Sequence, residues 1–101
     1  MYEIKVSRVA EERLLMRFHV RVAEADGSST EHDVTLLRAD QENLGGRYPT
    51  SEAFIRACFE FLLDREPKGS ILSSFDVRQI STYFPEFEKA MLQPENSGPR
   101  G

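Results

Sequence analysis

The chain has 101 residues, of which 40% are hydrophobic and 30% charged, and its net charge at pH 7 is −4. A chain of this length typically forms one domain around one core. Its single cysteine, Cys58, excludes an intramolecular disulfide and a CxxC zinc or redox motif. The acidic balance disfavours nucleic acid as a partner, because nucleic-acid-binding domains usually concentrate positive charge on one surface.

No segment of the chain has the pattern of a targeting or membrane sequence. The first residues alternate in polarity, and the longest apolar runs are only a few residues, such as Phe61-Leu62-Leu63. A secretory signal needs a longer apolar region, and a membrane helix needs about 20 apolar residues. We therefore expect a cytoplasmic protein that does not bind membranes.

The first third of the chain predicts three β-strands. Tyr2, Ile4 and Val6 alternate with polar residues until a polar stretch at residues 10–13 interrupts the pattern. Alternation resumes over residues 14–22 and again, after a turn, at Val34 and Leu36. Strands grouped before helices indicate an α+β domain rather than a parallel α/β fold.

The turn between the second and third strands decides which residues face each other. A two-residue loop at Asp26-Gly27 would place Val20 opposite Asp33 and mix the polar and apolar faces. A three-residue loop over residues 25–27, with Gly27 in the left-handed conformation, places Val20 opposite His32 instead. We favour this second register, which directs the even-numbered side chains into the core.

The odd-numbered side chains then form a polar sheet face, which is the first candidate interaction surface. In this register His19 lies opposite Asp33, and Arg21 lies opposite Glu31. The face is suited to recognising an acidic group, and His19 with Asp33 is a candidate acid–base pair. However, antiparallel sheets routinely leave one polar face to water, and no nucleophile accompanies the pair. Recognition therefore ranks above catalysis for the residues of this face, Arg17, His19, Arg21, Glu31 and Asp33.

The middle of the chain predicts helices. Residues 39–44 are suited to one helical turn, which Gly45-Gly46 would end. Thr50 or Ser51 is a candidate N-cap for a second helix, because apolar residues follow with helical spacing at positions 54, 55, 58, 61 and 62. Cys58 lies on this apolar face, so we expect a buried thiol rather than a nucleophile.

Proline divides the last helical region. After Ile71-Leu72, Ser73 or Ser74 is a candidate N-cap, and apolar residues follow at positions 77, 80, 84, 87 and 91. Pro85 disfavours helical geometry at the residue before it, so we expect two short helices rather than one helix kinked at Pro85. The complete prediction is a three-stranded antiparallel meander with two or three helices on one face over residues 1–92, followed by a flexible tail at 93–101.

A second candidate interaction surface is the aromatic corner around Pro85, formed by Tyr83, Phe84 and Phe87. The first and third predicted strands are also sheet edges that little protects from pairing with another strand. These features favour a non-catalytic protein-interaction or regulatory accessory domain, whose partner is another protein or a second copy of the chain.

Two other functions were weighed against this one. A helix-turn-helix over residues 52–83, reading DNA through Ser74–Thr82, is the alternative, although the acidic residues nearby disfavour contact with phosphates. A small enzyme that uses His19 and Asp33 ranks third. We expect no cofactor, and no metal site, because His19 and His32 lie on opposite faces of the predicted sheet.

Overall fold

Four strands form the sheet in the computed structural model, which describes residues 2–92. The antiparallel strands are β1 (Tyr2–Glu11), β2 (Leu15–Glu24) and β3 (Ser29–Leu37), and β4 (Ser74–Asp76) runs parallel to β3. The helices are α1 (Arg38–Leu44), α2 (Ser51–Leu63), α3 (Gln79–Tyr83) and α4 (Phe87–Leu92), with a 3₁₀ turn at Lys68–Ser70. The predicted α+β class, with its N-terminal meander and C-terminal helices, is confirmed. The predicted tail at 93–101 lies outside the described residues.

The turn between β2 and β3 adopts the predicted three-residue form. Gly27 has a φ of 92°, in the left-handed region that glycine enters without steric cost. The Glu24 N–H donates to the Ser28 carbonyl at 2.9 Å and closes the loop. Val20 therefore lies opposite His32, and both are buried, whereas the neighbouring pair on the other face is open to solvent.

Strand β1 is longer than its polar C-terminal half suggests. Of the polar stretch at residues 10–13 that was expected to interrupt it, Ala10 and Glu11 remain paired, because a bulge between Arg8 and Ala10 shifts the register by one residue. Arg8 lies opposite the buried Phe18, on the side of the sheet that the helices cover. There its guanidinium forms an ion pair with Glu52 of α2 at 3.0 Å.

Helix α2 covers the even-numbered face of the sheet. Thr50 is its N-cap, and the Thr50 Oγ1 accepts a hydrogen bond from the Ala53 N–H at 3.0 Å. Cys58 lies in the core as expected, where burial raises the pKa of its thiol. The buried residues that α2 contributes to the core are Phe54, Ile55, Cys58, Phe59, Phe61 and Leu62.

Strand β4 replaces the helix start that was expected at Ser73 or Ser74. The Asp33 N–H donates to the Ser73 carbonyl at 2.8 Å, and the Val77 N–H donates to the Thr35 carbonyl at 3.0 Å. Phe75 then lies beside Val34 on the buried face. The prediction of a serine cap was wrong because these contacts depend on β3, some forty residues away in the chain.

This strand changes two further predictions. The helix-turn-helix over 52–83 is not formed, because a 3₁₀ turn and β4 separate α2 from α3 and α3 has only five residues. The expectation that β3 is an edge strand was also wrong, since β4 pairs with residues 33–35 of β3. The edges of the sheet are β1 and β4.

Pro85 separates two short helices, as expected. Phe84 has φ −132° and ψ 89°, outside the helical region, so α3 ends before it and α4 begins two residues after the proline. None of the helices within residues 2–92 combines the length and the apolar character that crossing a membrane requires.

Candidate functional site

An apolar groove lies where the C-terminal half of α2 meets β4 and α3. Its floor is formed by buried side chains of the core, and its rim by Leu72 and Tyr83, which are 45% and 63% exposed. The volume of the groove is about 210 Å³. We call this surface the α2–α3 groove; its lining is Leu62, Glu66, Ser70, Ile71, Leu72, Phe75, Gln79, Ile80, Tyr83 and Phe84.

The groove exists because the chain between α2 and α3 is extended rather than helical. Phe75 and Ile71 turn inward, to 7% and 8% exposure, and Leu72 therefore remains at the surface. On the opposite wall, α3 ends at Tyr83, because Phe84 stands before Pro85 and has left the helical conformation. Large apolar side chains on the two rims face solvent, which makes this an exposed apolar patch with a preformed shape.

A buried histidine fixes the Leu72 wall of the groove. The Nδ1–H of His32 donates to the Leu72 carbonyl at 2.7 Å, because a carbonyl oxygen only accepts hydrogen bonds. The Nε2 of the ring forms a second hydrogen bond with the Thr30 hydroxyl at 2.8 Å. The ring also packs against Phe59, with 5.3 Å between centroids. His32 thus anchors the segment that carries Leu72 to the middle of β3.

The groove carries one charged side chain in its lining, Glu66. Glu66 is half-buried in the wall and makes no ion pair with any other side chain of residues 2–92. The neighbouring Glu86 is already paired with Arg65 at 2.9 Å, and the guanidinium of Arg65 lies 3.6 Å from the Phe61 ring centroid. A group that enters the groove therefore encounters apolar surface beside an unpaired carboxylate.

The predicted aromatic corner is only partly a surface. Tyr83 and Phe84 line the groove, but Phe87 is fully buried and belongs to the core. It packs edge-on against Phe61, with 5.2 Å between ring centroids. Its assignment to a surface was wrong, because the turn at Pro85 directs the first residue of α4 back under α2.

The residues of the polar sheet face share one open face of the sheet, as predicted. Glu31 binds His19 across the diagonal at 2.7 Å, although Arg21 is its direct cross-strand partner. Asp33 binds the other ring nitrogen at 3.1 Å. Arg17 pairs with Glu12 at 3.4 Å, so the ion pairs of this face are local contacts within and beside the hairpin.

The two carboxylates act on the titration of His19. Hydrogen bonds that the ring donates to Asp33 and, to a smaller extent, to Glu31 raise the pKa of the imidazole, and partial desolvation opposes them. Ionised carboxylates only accept hydrogen bonds, so the protonated ring is the form that satisfies both nitrogens. This arrangement is that of a surface ion-pair network, and among residues 2–92 no serine, threonine or cysteine hydrogen bonds to the ring.

Metal-ligating residues are dispersed in the described part of the chain. His19 lies on the open face and His32 in the core, as the alternation predicted. No cluster of three histidine, cysteine, aspartate or glutamate side chains within residues 2–92 is arranged to hold a metal ion.

Sequence reasoning missed Leu72, Phe75 and Glu66 of the groove. One signal was present: Phe75 and Val77 alternate with polar residues after two serines, which is typical of a short strand.

Comparison with known protein families, with curated proteins and with solved structures found no match for this chain. The fold and the groove define the class of the molecule, which is a small α+β domain that carries the apolar α2–α3 groove on its surface.

Proposed function

We propose that this chain is a non-catalytic protein-interaction domain that binds a partner segment in the α2–α3 groove. The observation that carries the proposal is the pair of exposed apolar rims, Leu72 and Tyr83, above a floor of buried side chains. Together they offer a concave apolar surface of the kind that receives an apolar side chain from a partner.

The size of the groove favours a side chain over a small molecule. Pockets for drug-sized ligands and cofactors usually have volumes of about 300–1,000 Å³, and this groove has about 210 Å³. Burying a leucine side chain fully stabilises a complex by about 1.5–3 kcal/mol, so covering the exposed part of Leu72 contributes roughly 1 kcal/mol. The apolar side chain of a partner gains a similar amount on the same contact.

The charge at the groove indicates what should accompany that apolar side chain. Glu66 is half-buried and unpaired within residues 2–92, and the chain as a whole carries a charge of −4. A lysine or arginine beside the anchoring residue would place its cation against this carboxylate. Such complementarity contributes specificity and a faster association rate more than affinity. The partner segment is therefore apolar with an adjacent basic residue.

A cytoplasmic setting belongs to the same proposal. The one cysteine is buried and unpaired, which suits a compartment in which thiols remain reduced. Protein partners, rather than nucleic acid or lipid, are expected to occupy the groove.

The test is capture of a partner from native lysate by three tagged forms of the chain, before and after nuclease treatment. Wild type is compared with Leu72→Glu, which places a charge on the rim of the groove. The matched control is Leu14→Glu, because Leu14 is 72% exposed in the β1–β2 turn and does not line the groove.

We expect wild type and Leu14→Glu to retain the same stoichiometric protein, and Leu72→Glu to lose it while its thermal melt stays unchanged. A protein that all three forms retain equally, or recovery of nucleic acid in place of protein before nuclease, would contradict the proposal.

A further inference from the structure

Strand β1 has an open hydrogen-bonding edge whose residues can be named. The Asp33 N–H and the Thr35 carbonyl bond to the β4 segment, so the odd-numbered residues of β3 face β4. Successive residues of a strand direct their backbone groups to opposite neighbours. The even-numbered residues of β3 and β2 therefore bond to each other, and the odd-numbered residues of β2 bond to those of β1. The backbone N–H and C=O groups of Ile4 and Val6 point away from β2. Residues 2–92 supply no backbone partner on that side.

The two edges of the sheet differ in how they are protected. Strand β4 is only three residues long, which is one way in which proteins limit edge-to-edge pairing. Strand β1 has ten residues, and its bulge follows Arg8. The bulge disrupts regular pairing at the far end, so the segment available to another strand is the run from Tyr2 to Arg8.

The charges on this run lack partners within the sheet. Lys5 is exposed and lies directly opposite Arg21, a like charge, which is an unfavourable cross-strand pair. Glu3 is exposed on the same face and lies opposite Ala23. Neither side chain makes an ion pair with residues 2–92. A strand that places an acid beside Lys5 and a base beside Glu3 would satisfy both.

We infer that a second copy of this chain pairs antiparallel with β1 about a two-fold axis at Ile4, which joins two four-stranded sheets into one of eight strands. In this register each Glu3 lies opposite Lys5 of the second copy, and Tyr2 lies opposite Val6. The even-numbered residues become the hydrogen-bonded pairs, as their orientation requires. Tyr2 and Val6, both half-buried in one copy, would cover each other on the helical side of the sheet.

Neighbouring registers fit less well. The apolar side chains of both copies stay on the same face of the joined sheet only when even-numbered residues pair with even-numbered ones and odd with odd. The two-fold axis therefore lies at a residue of β1, and the alternative registers place it at a neighbouring residue. An axis at Lys5 would place Lys5 against Lys5 of the second copy, which is repulsive. An axis at Val6 would bring Glu3 opposite Val9, within the bulge. Charge complementarity therefore selects the axis at Ile4, and a second copy is the strand that supplies it.

The test uses two charge variants and their mixture. Glu3→Lys gives lysine at positions 3 and 5, and Lys5→Glu gives glutamate at both positions. In a dimer of either variant, like charges therefore lie opposite each other and repel. We expect each to raise the dimer dissociation constant about tenfold or more at an ionic strength of about 50 mM, where exposed charges are weakly screened. Mixing the two variants restores opposite charges at both pairs and should form a heterodimer with wild-type affinity.

The control is Glu42→Lys on α1, which makes the same change of net charge as Glu3→Lys on a helix that contacts β3 and α4. It should leave the dimer unchanged in light scattering and sedimentation. A chain that stays monomeric at millimolar concentration would overturn the inference. So would a dimer that neither single variant weakens, or single variants that fail to recover on mixing.

Amide hydrogen exchange gives a second measurement that is specific for the geometry. The amides of Ile4 and Val6 should gain protection as the concentration rises, while those of Lys5 and Ser7, which bond to β2, are protected at all concentrations. Concentration-dependent protection confined to the α2–α3 groove would instead show that the copies associate through the groove, and would overturn the β1 pairing.

Discussion

Replacing His32 with alanine tests the register that places this ring in the core. The side chain is 2% exposed and makes hydrogen bonds of 2.7 and 2.8 Å to Leu72 and Thr30. Each such bond contributes about 0.5–1.5 kcal/mol net. The contact with Phe59 adds about 0.5–1.5 kcal/mol, and the void left by the ring adds a cavity cost. The expected loss in the free energy of unfolding is about 3 kcal/mol.

His19→Ala is the matched control, because it removes the same side chain from the open face of the sheet. His19 is next in sequence to Val20, which lies opposite His32. Its ion pairs with Glu31 and Asp33 are at the surface, so its loss should cost less than about 1 kcal/mol.

Urea denaturation followed by circular dichroism measures both variants, with the free energy obtained by linear extrapolation. A loss of about 3 kcal/mol lowers the melting temperature of a domain of this size by about 15 °C. If His32→Ala costs no more than His19→Ala, the register is wrong, because a slip of one residue in β3 would move His32 to the open face that carries His19.

Three further variants test the turn, the polar sheet face and the core. Gly27→Ala should cost about 1–2 kcal/mol by chemical denaturation although its Cβ meets no atom within 4 Å, because alanine is strained at φ 92°; a neutral effect would contradict the turn conformation. His19→Gln should lower the free energy of unfolding more at pH 6 than at pH 9. Folding raises the pKa of His19, so the protonated ring stabilises the fold fully below its ordinary pKa near 6.5, and this contribution is lost as the pH rises through the pKa of the folded state. A loss that is equal at both pH values, or larger at pH 9, would refute this sign. Phe87→Ala should cost about 3–5 kcal/mol in the same assay and Tyr83→Ala less than about 0.5 kcal/mol, and equal costs would show that Phe87 lies at the surface.

The parts of the fold that could be predicted are those decided by nearby residues. The pairing of β2 with β3 follows from their alternation and from the glycine three residues after Glu24, which are local signals. Helix α2 follows from its apolar period and from the Thr50 cap. The break between α3 and α4 follows from the chemistry of Pro85 alone.

The parts that could not be predicted depend on distant contacts. The local pattern at Ser73 and Ser74 fits a helix cap, and only the partner strand β3 makes the segment extended. The α2–α3 groove depends on that extended path, because it leaves Leu72 outside and turns Phe75 inward. The burial of Phe87 likewise depends on a distant contact, because its ring packs against Phe61 of α2. Long-range pairing therefore decided the candidate site.

The most direct test of partner binding in the α2–α3 groove is photocrosslinking to the protein that wild type captures. A photoreactive phenylalanine analogue is placed at Tyr83 on the groove rim and, in a separate protein, at the exposed Leu14. After irradiation of each complex, mass spectrometry identifies the joined peptides. The proposed function predicts an adduct from position 83, on a partner segment with an apolar and a basic residue, and none from position 14. An intact complex that crosslinks from position 14 and not from position 83 would contradict it.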